Sequence, residues 1–313
     1  HKVNVWSRSE AELEQKGETI CHKKLPNIEI SKEITFSIDF SCLVDCELLI
    51  LALPSFAIRE NCAKIRELIS EKTIILCAAK GLEKGTYKVF VTVIEEELPN
   101  NPCVALSGPS FATEIAKGIP TTVVAASRNR EAADMVQDLL MDKTLRIYVS
   151  DDVIGVELGG ALKNSIAVCS GICDGLLDNA SNTKAALMTR GITEIARLGV
   201  ALGGRQETFA GLSGIGDLML TCSGNQSRNY RFGQLLSQGM QVQEAMDSIG
   251  MVVEGYHVTG TAYELAQSMN VDMPIVTQAY EVLYKGKNPK LALQDLMARP
   301  KRHESEEIWL ESK

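Results

Sequence analysis

Three unbroken apolar runs, each ended by turn residues, constrain this chain more than any other feature. Cys46-Glu47-Leu48-Leu49-Ile50-Leu51-Ala52-Leu53 stops at Pro54-Ser55, Thr73-Ile74-Ile75-Leu76-Cys77-Ala78-Ala79 stops at Lys80-Gly81, and Cys103-Val104-Ala105-Leu106 stops at Ser107-Gly108-Pro109. Runs that do not alternate with polar residues suit strands covered on both faces, as in a parallel sheet. Helical spacing fills the intervals, through Ile58, Cys62, Ile65 and Ile69 and again from Val89 to Leu98. Further strands are expected at the opening residues up to Trp6, at Thr121 to Ala126 and at Leu145 to Val149, with a helix from Arg130 to Leu140 between the last two. Strands and helices alternating at this spacing predict an α/β doubly wound sheet.

Beyond Ser150 the pattern changes to long helical periodicity broken by glycine and proline, with no convincing strand. The expected division is therefore a doubly wound α/β domain over 1–150 and an all-helical domain over 151–313, a length that allows each its own core. A net charge of −8 with no basic stripe argues against a nucleic-acid partner. Nine cysteines without a CxxC pair, and four histidines, fit neither a disulfide framework nor a zinc site, so no metal is expected and a reducing cytoplasm is the natural location. No apolar run reaches the length of a membrane span and no cleavable leader pattern opens the chain, so stable membrane insertion is not expected. The charged tail from Arg299 onward is expected to fray.

Within the helical half, Glu157-Leu158-Gly159-Gly160-Ala161-Leu162-Lys163-Asn164 lies in a helix expected from about Asp152 to Gly171. Gly159 and Gly160 stand one turn before Lys163, on nearly its face, and each costs on the order of 1 kcal/mol relative to alanine. Such a pair implies a close approach by another backbone or a ligand, into which Lys163 would project; a solvated lysine is the bland alternative. In an open α/β sheet ligands lie across the carboxyl ends of the strands, here Ser7-Arg8, Pro54-Ser55, Lys80-Gly81 and Ser107-Gly108-Pro109-Ser110. Pro109 is expected near the first position of a helix, leaving backbone N–H groups for a ligand, although an ordinary capped turn explains that motif equally well. Arg8 between two serines is of the kind that accommodates the 2′-phosphate of NADP. Asp217, after three close glycines, is read as starting a helix, where capping is the alternative to a functional role. Ser227, Arg228 and Asn229 offer hydroxyl, guanidinium and amide donors in a row, a good set for a small phosphate or else a solvated loop. Val252-Val253-Glu254-Gly255 places an acid beside a glycine, within reach of a cofactor hydroxyl.

Taken in order, Lys80-Gly81, Ser107-Gly108-Pro109-Ser110-Phe111-Ala112, Glu157 to Asn164, Gly214-Ile215-Gly216-Asp217-Leu218, Ser227-Arg228-Asn229 and Val252 to Gly255 closely resemble bacterial NAD(P)-dependent glycerol-3-phosphate dehydrogenases, from His1 to about residue 300. The resemblance implies a Rossmann domain joined to a helical domain of the 6-phosphogluconate dehydrogenase type. It implies NADP(H) or NAD(H) as cofactor, a small phosphorylated three-carbon substrate, and interconversion of dihydroxyacetone phosphate and sn-glycerol 3-phosphate for phospholipid synthesis. Carried over by position, Lys163 is the proton acceptor, with Lys80 and Asp217 beside it. Lys80, Gly108, Ser110, Asp217, Ser227, Arg228 and Asn229 line the substrate site, and Arg8, Lys80, Ala112, Arg228, Val252 and Glu254 contact the dinucleotide. Ser110 stands where relatives often have threonine. The oligomeric state is left open, a homodimer included.

One departure stands out. His1 matches the start of the family's second strand, and the first strand with its glycine-rich turn is missing, so a central strand is lost, its neighbours' apolar edges are exposed and the pyrophosphate cradle is absent. The chain is accordingly expected to be part of a longer protein; alone, it would bind cofactor weakly. Two rivals follow, a non-catalytic remnant that senses substrate or binds a partner, and a reductase of the 6-phosphogluconate or ketopantoate type. For the dehydrogenase, two lysines converging on one oxygen would lower one pKa toward neutrality by repulsion and desolvation.

Overall fold

The structure, a computed structural model, describes residues 1–9, 13–16, 19–23, 25–301 and 303–304, so most of the expected tail lies outside the described residues. The apolar runs form strands β6 (Leu48–Leu51), β7 (Ile74–Cys77) and β8 (Cys103–Ser107), which pair in parallel. They are preceded by β1 (Asn4–Trp6), β2 (Leu13–Lys16), β3 (Thr19–His22), β4 (Leu25–Ile30) and β5 (Thr35–Ser37), and followed by β9 (Thr121–Ala126) and β10 (Leu145–Ser150). The main sheet has the order β10-β9-β8-β7-β6. All four residues of β7 are buried, in keeping with a strand covered on both faces. Ile75, Cys77 and Ala105 pack with α1 (Ile58–Ile65) and α2 (Phe90–Glu97) on one side. Ile74, Leu76 and Val104 pack on the other against Ala132 and Val136 of α4 (Arg130–Leu140), which follows the short α3 (Ala112–Ala116).

Three features differ from the expectation. The sheet is mixed, because β8 and β9 run antiparallel while β9 and β10 are parallel. The polar stretch around Pro26 forms an antiparallel three-stranded sheet, β2-β3-β4, whose polar composition hid it from a search for apolar runs. Third, Pro109 precedes α3 by three positions and Phe111 is the N-cap, so Pro109 does not open that helix.

The expected gap is present. Among the described residues β1 pairs only with β5, as a separate two-stranded parallel sheet, and β6 only with β7, and a cavity of about 810 Å³ lies between them, lined by residues of β1 and β6. Ile50 on the open edge of β6 is 47% exposed. Trp6 stacks on Phe40 with ring centroids 4.3 Å apart, fixing β1 to the turn before β6.

The last strand ends at Ser150 and α5 (Val153–Leu176) begins three residues later, Asp152 capping it by accepting from Gly155 N–H at 2.9 Å. α5 is longer than its periodicity indicated and is, by length and composition, apolar enough to cross a membrane, contrary to the reading that no run reaches that length. Its apolar window is 94% buried within the fold, and it is the central rod of the helical half. Around it pack α6 (Ser181–Ala201), α7 (Gln206–Phe209), α8 (Asp217–Cys222), α9 (Arg228–Ser237), α10 (Val242–Ile249), α11 (Glu254–Ser268), α12 (Pro274–Lys285) and α13 (Pro289–Met297). Pro274 and Pro289 open their helices, where a missing N–H costs nothing, and Gly286 ends α12 at φ +69°.

Candidate active site

The sequence puts Lys163 in the interior of α5, and two glycines explain how a lysine there gains company. A Cβ on Gly159 would stand 2.6 Å from the Ser213 carbonyl oxygen, and one on Gly160 would stand 2.5 Å from Ser107 Oγ and 3.6 Å from the Lys80 side chain. Their bare faces admit the π-helical turn Leu212–Gly216 on one side and the ends of β7 and β8 on the other. The turn delivers Asp217 as the first residue of α8, only 1% exposed.

Asp217 makes no cap to its own helix; its carboxylate joins the two lysines. Oδ1 accepts from Lys163 Nζ, and Oδ2 accepts from Lys80 Nζ at 2.6 Å. Lys80 also donates to the Gly108 carbonyl at 2.9 Å, and Lys163 to Thr221 Oγ1 at 2.7 Å. Gly108 holds φ +118° and lies 3.1 Å, by its absent Cβ, from the Val123 backbone, so glycine is needed there to present that carbonyl. Ser110 donates to the same oxygen at 2.9 Å, and Ala112 opens α3 directly after.

Burial lowers the Lys163 pKa to about 8, helped by the charge of Lys80 and opposed by Asp217. An ammonium with two protons engaged keeps a third for a ligand, and near neutrality it can give that proton up. The Ser107 hydroxyl, against Gly160, is buried without a hydrogen-bond partner among the described residues. Burial also raises the Glu157 carboxyl to about 8, opposed by backbone N–H groups at the start of α2, where Val91 N–H lies 3.2 Å from both its oxygens. Glu157 thereby ties α5 to the sheet half one turn before Gly160.

A second group assembles at the starts of α9 and α11. Ser227 caps α9 by accepting from Tyr230 N–H at 3.2 Å. Asn229 donates from Nδ2 to Asn164 Oδ1 at 2.9 Å and accepts from Gly255 N–H at 2.9 Å, so most of its amide is committed to the scaffold. Asn164 follows Lys163 directly, which links the two groups. Arg228 makes no hydrogen bond among the described residues; burial lowers its pKa, with the charge of Glu254 opposing that shift. Glu254 opens α11 and accepts from the Ser55 hydroxyl at 2.9 Å, and Val252 lies half-buried just before it.

The structure thus gathers Lys80, Gly108, Ser110, Asp217 and Lys163 in one cluster, with Ser227, Arg228, Asn229, Val252 and Glu254 beside it. Arg8 stands apart, exposed just beyond β1 at the end of the separate β1-β5 sheet. Thr221, Asn164 and Ser55 were not singled out as site residues. Thr221 carries a faint signal, lying four residues after Asp217 on the same helix face; Ser55 carries none beyond its place at a strand end. A cavity of about 460 Å³ between α5, α6, α12 and α13 contains none of the cluster.

Two family models cover most of the chain. One, described as the N-terminus of NAD-dependent glycerol-3-phosphate dehydrogenase, matches residues 1–133; the other, described as its C-terminus, matches residues 152–294. The chain belongs to this family. A glycerol-3-phosphate dehydrogenase [NAD(P)+] of Desulfitobacterium hafniense is 47% identical, the match covering 99% of this chain and 88% of that protein. One of Clostridium acetobutylicum is also 47% identical, over 97% and 92%. The crystal structure of glycerol-3-phosphate dehydrogenase from Coxiella burnetii matches with a TM-score of 0.84 at 40% identity, over 88% of this chain and 84% of that one. A ketopantoate reductase from Ralstonia eutropha shares the fold alone, at a TM-score of 0.54 and 12% identity.

Proposed function

We propose that the chain is an NAD(P)-dependent sn-glycerol-3-phosphate dehydrogenase, interconverting dihydroxyacetone phosphate and sn-glycerol 3-phosphate for glycerophospholipid synthesis. The observation that carries the chemical roles is the meeting of Lys80 and Lys163 on the two oxygens of one buried carboxylate. Oxidising a secondary alcohol needs a base for its proton and a positive group for the charge on oxygen. Lys163, with a pKa of about 8, takes the hydroxyl proton in oxidation and returns it in reduction. Lys80 polarises the same oxygen, and Asp217 holds both side chains at a fixed separation.

The phosphate is assigned to Arg228, a half-buried guanidinium with no hydrogen bond among the described residues, with Ser227 and Asn229 at the start of α9 and Gly108 and Ser110 closing the other side. Holding it aligns the reacting carbon. The residues present fit a nicotinamide dinucleotide: the Ser107 hydroxyl, buried without a hydrogen-bond partner among the described residues, lies at a strand end where the sheet meets the helical half. Arg8, Lys80, Ala112, Arg228, Val252 and Glu254 would hold it, residues 1–150 forming the dinucleotide domain and 151–313 the substrate domain. The bound cofactor supplies a hydride acceptor and donor. Arg8 inclines the site toward NADP(H). All nine cysteines are free thiols, which favours a cytoplasmic location. Initial rates of dihydroxyacetone phosphate reduction with NADPH and NADH test the assignment; turnover of ketopantoate but not of dihydroxyacetone phosphate would overturn it.

A further inference from the structure

Ser55 is the first residue of a short turn, Ser55–Ala57, that runs directly into α1 at the carboxyl end of β6. The first N–H groups of a helix have no partner within it. Here the Ser55 N–H donates to Glu254 Oε1 at 3.3 Å and its hydroxyl donates to Oε2 at 2.9 Å. The partners are 199 positions apart, one at the sheet edge and one at the start of α11. The carboxylate therefore lies where two helix starts converge, a favourable place for negative charge. On the opposite side, a Cβ on Gly81 would stand 3.4 Å from Ser55 Cβ, so Ser55 borders the turn that carries Lys80.

We infer that Ser55 is a positioning residue that fixes the Glu254 carboxylate for a ribose hydroxyl of the dinucleotide. This rests on the reading of Glu254 as a cofactor contact. A free glutamate side chain loses rotamer entropy when a ligand freezes it. Two donors from one residue impose that order before the ligand arrives. Each carboxylate oxygen keeps lone pairs to accept from a hydroxyl, and its plane is set by the grip of Ser55.

Fluorescence titration with NADPH, together with steady-state kinetics, tests the inference on the purified enzyme and its Ser55→Ala, Ser55→Thr, Glu254→Ala and Ser55→Ala/Glu254→Ala variants. Losing a hydrogen bond to a charged group predicts a rise in cofactor Kd of roughly 5- to 20-fold in Ser55→Ala. That loss falls on the cofactor rather than on the KM for dihydroxyacetone phosphate. Ser55→Thr restores binding, and the double variant binds no worse than Glu254→Ala alone, since the two act as one unit. If Glu254→Ala weakens NADPH and Ser55→Ala does not, the positioning role is overturned while the cofactor contact stands. If neither weakens NADPH, the reading of Glu254 itself falls. Equal losses toward cofactor and substrate, with a lowered Tm, would reduce Ser55 to a purely structural part and overturn the inference.

Discussion

Replacing Asp217 by asparagine removes the charge that holds the two lysines while keeping the shape of the side chain. Asp217 is 1% exposed and touches both ammonium groups, so its loss is felt most by Lys163, whose pKa of about 8 already balances burial and Lys80 against this carboxylate. Two unit charges about 4 Å apart at an effective dielectric constant of about 20 interact by about 4 kcal/mol. At about 1.4 kcal/mol per pH unit that is at most about three units. The amide oxygen still accepts a hydrogen bond, which returns part of the loss, so a fall of roughly one to two units is expected. The assay is the pH dependence of kcat for glycerol 3-phosphate oxidation, followed by the absorbance of the reduced nicotinamide. In the parent the rate rises with pH as Lys163 loses its proton near pH 8; in Asp217→Asn that rise moves to about pH 6 to 7 on a lower plateau. Should turnover be too slow to follow, NMR titration of the Lys163 side chain reads the same shift. A midpoint left near 8, or moved upward, would refute the electrostatic reasoning.

Other outcomes follow from the same geometry. Lys163→Ala lowers kcat by at least about 10³-fold with circular dichroism unchanged, and near-normal kcat would remove it from the chemistry. Because the Lys163 pKa is about 8 in the fold against 10.5 in the unfolded chain, unfolding takes up protons between those values. Stability relative to Lys163→Met should therefore rise with pH across that window, by up to about 3 kcal/mol in denaturant titrations, and a flat difference counts against the buried charge. Arg228→Ala raises the KM for dihydroxyacetone phosphate by roughly 10- to 100-fold while barely affecting a phosphate-free analogue, as steady-state kinetics will show. Gly159→Ala drives a methyl group against the Ser213 carbonyl and should cost about 1 to 3 kcal/mol, read as a lower Tm.

Much of this architecture is written in hydrophobic pattern. β6, β7 and β8 follow from apolar runs because strands covered on both faces have no polar side to show, and α4 follows from its helical pattern, the Asn129 cap being seen only in the fold. The β2-β3-β4 sheet was illegible because its few apolar residues are scattered among charged and polar ones rather than gathered into runs, and the reversal between β8 and β9 because strand direction depends on the path of the connection. At the site, the glycines before Lys163 announced a close approach, but their spacing could not say which groups approach. Only the fold shows that the Ser213 carbonyl takes one gap and Ser107 with Lys80 the other. Asp217 was legible as a helix start and misleading as a cap, since its side chain turns from its own backbone toward two lysines. The Ser55 to Glu254 contact spans the chain and leaves no local trace.

The central claim is that Lys163 and Lys80 share one substrate oxygen, which a crystal structure of the ternary complex with NADP+ and glycerol 3-phosphate tests most directly. The account predicts the C2 hydroxyl oxygen within about 3.2 Å of both Nζ atoms, with the phosphate on Arg228. A C2 oxygen directed away from Lys163, with both lysines still bound only to Asp217, Gly108 and Thr221, would contradict it.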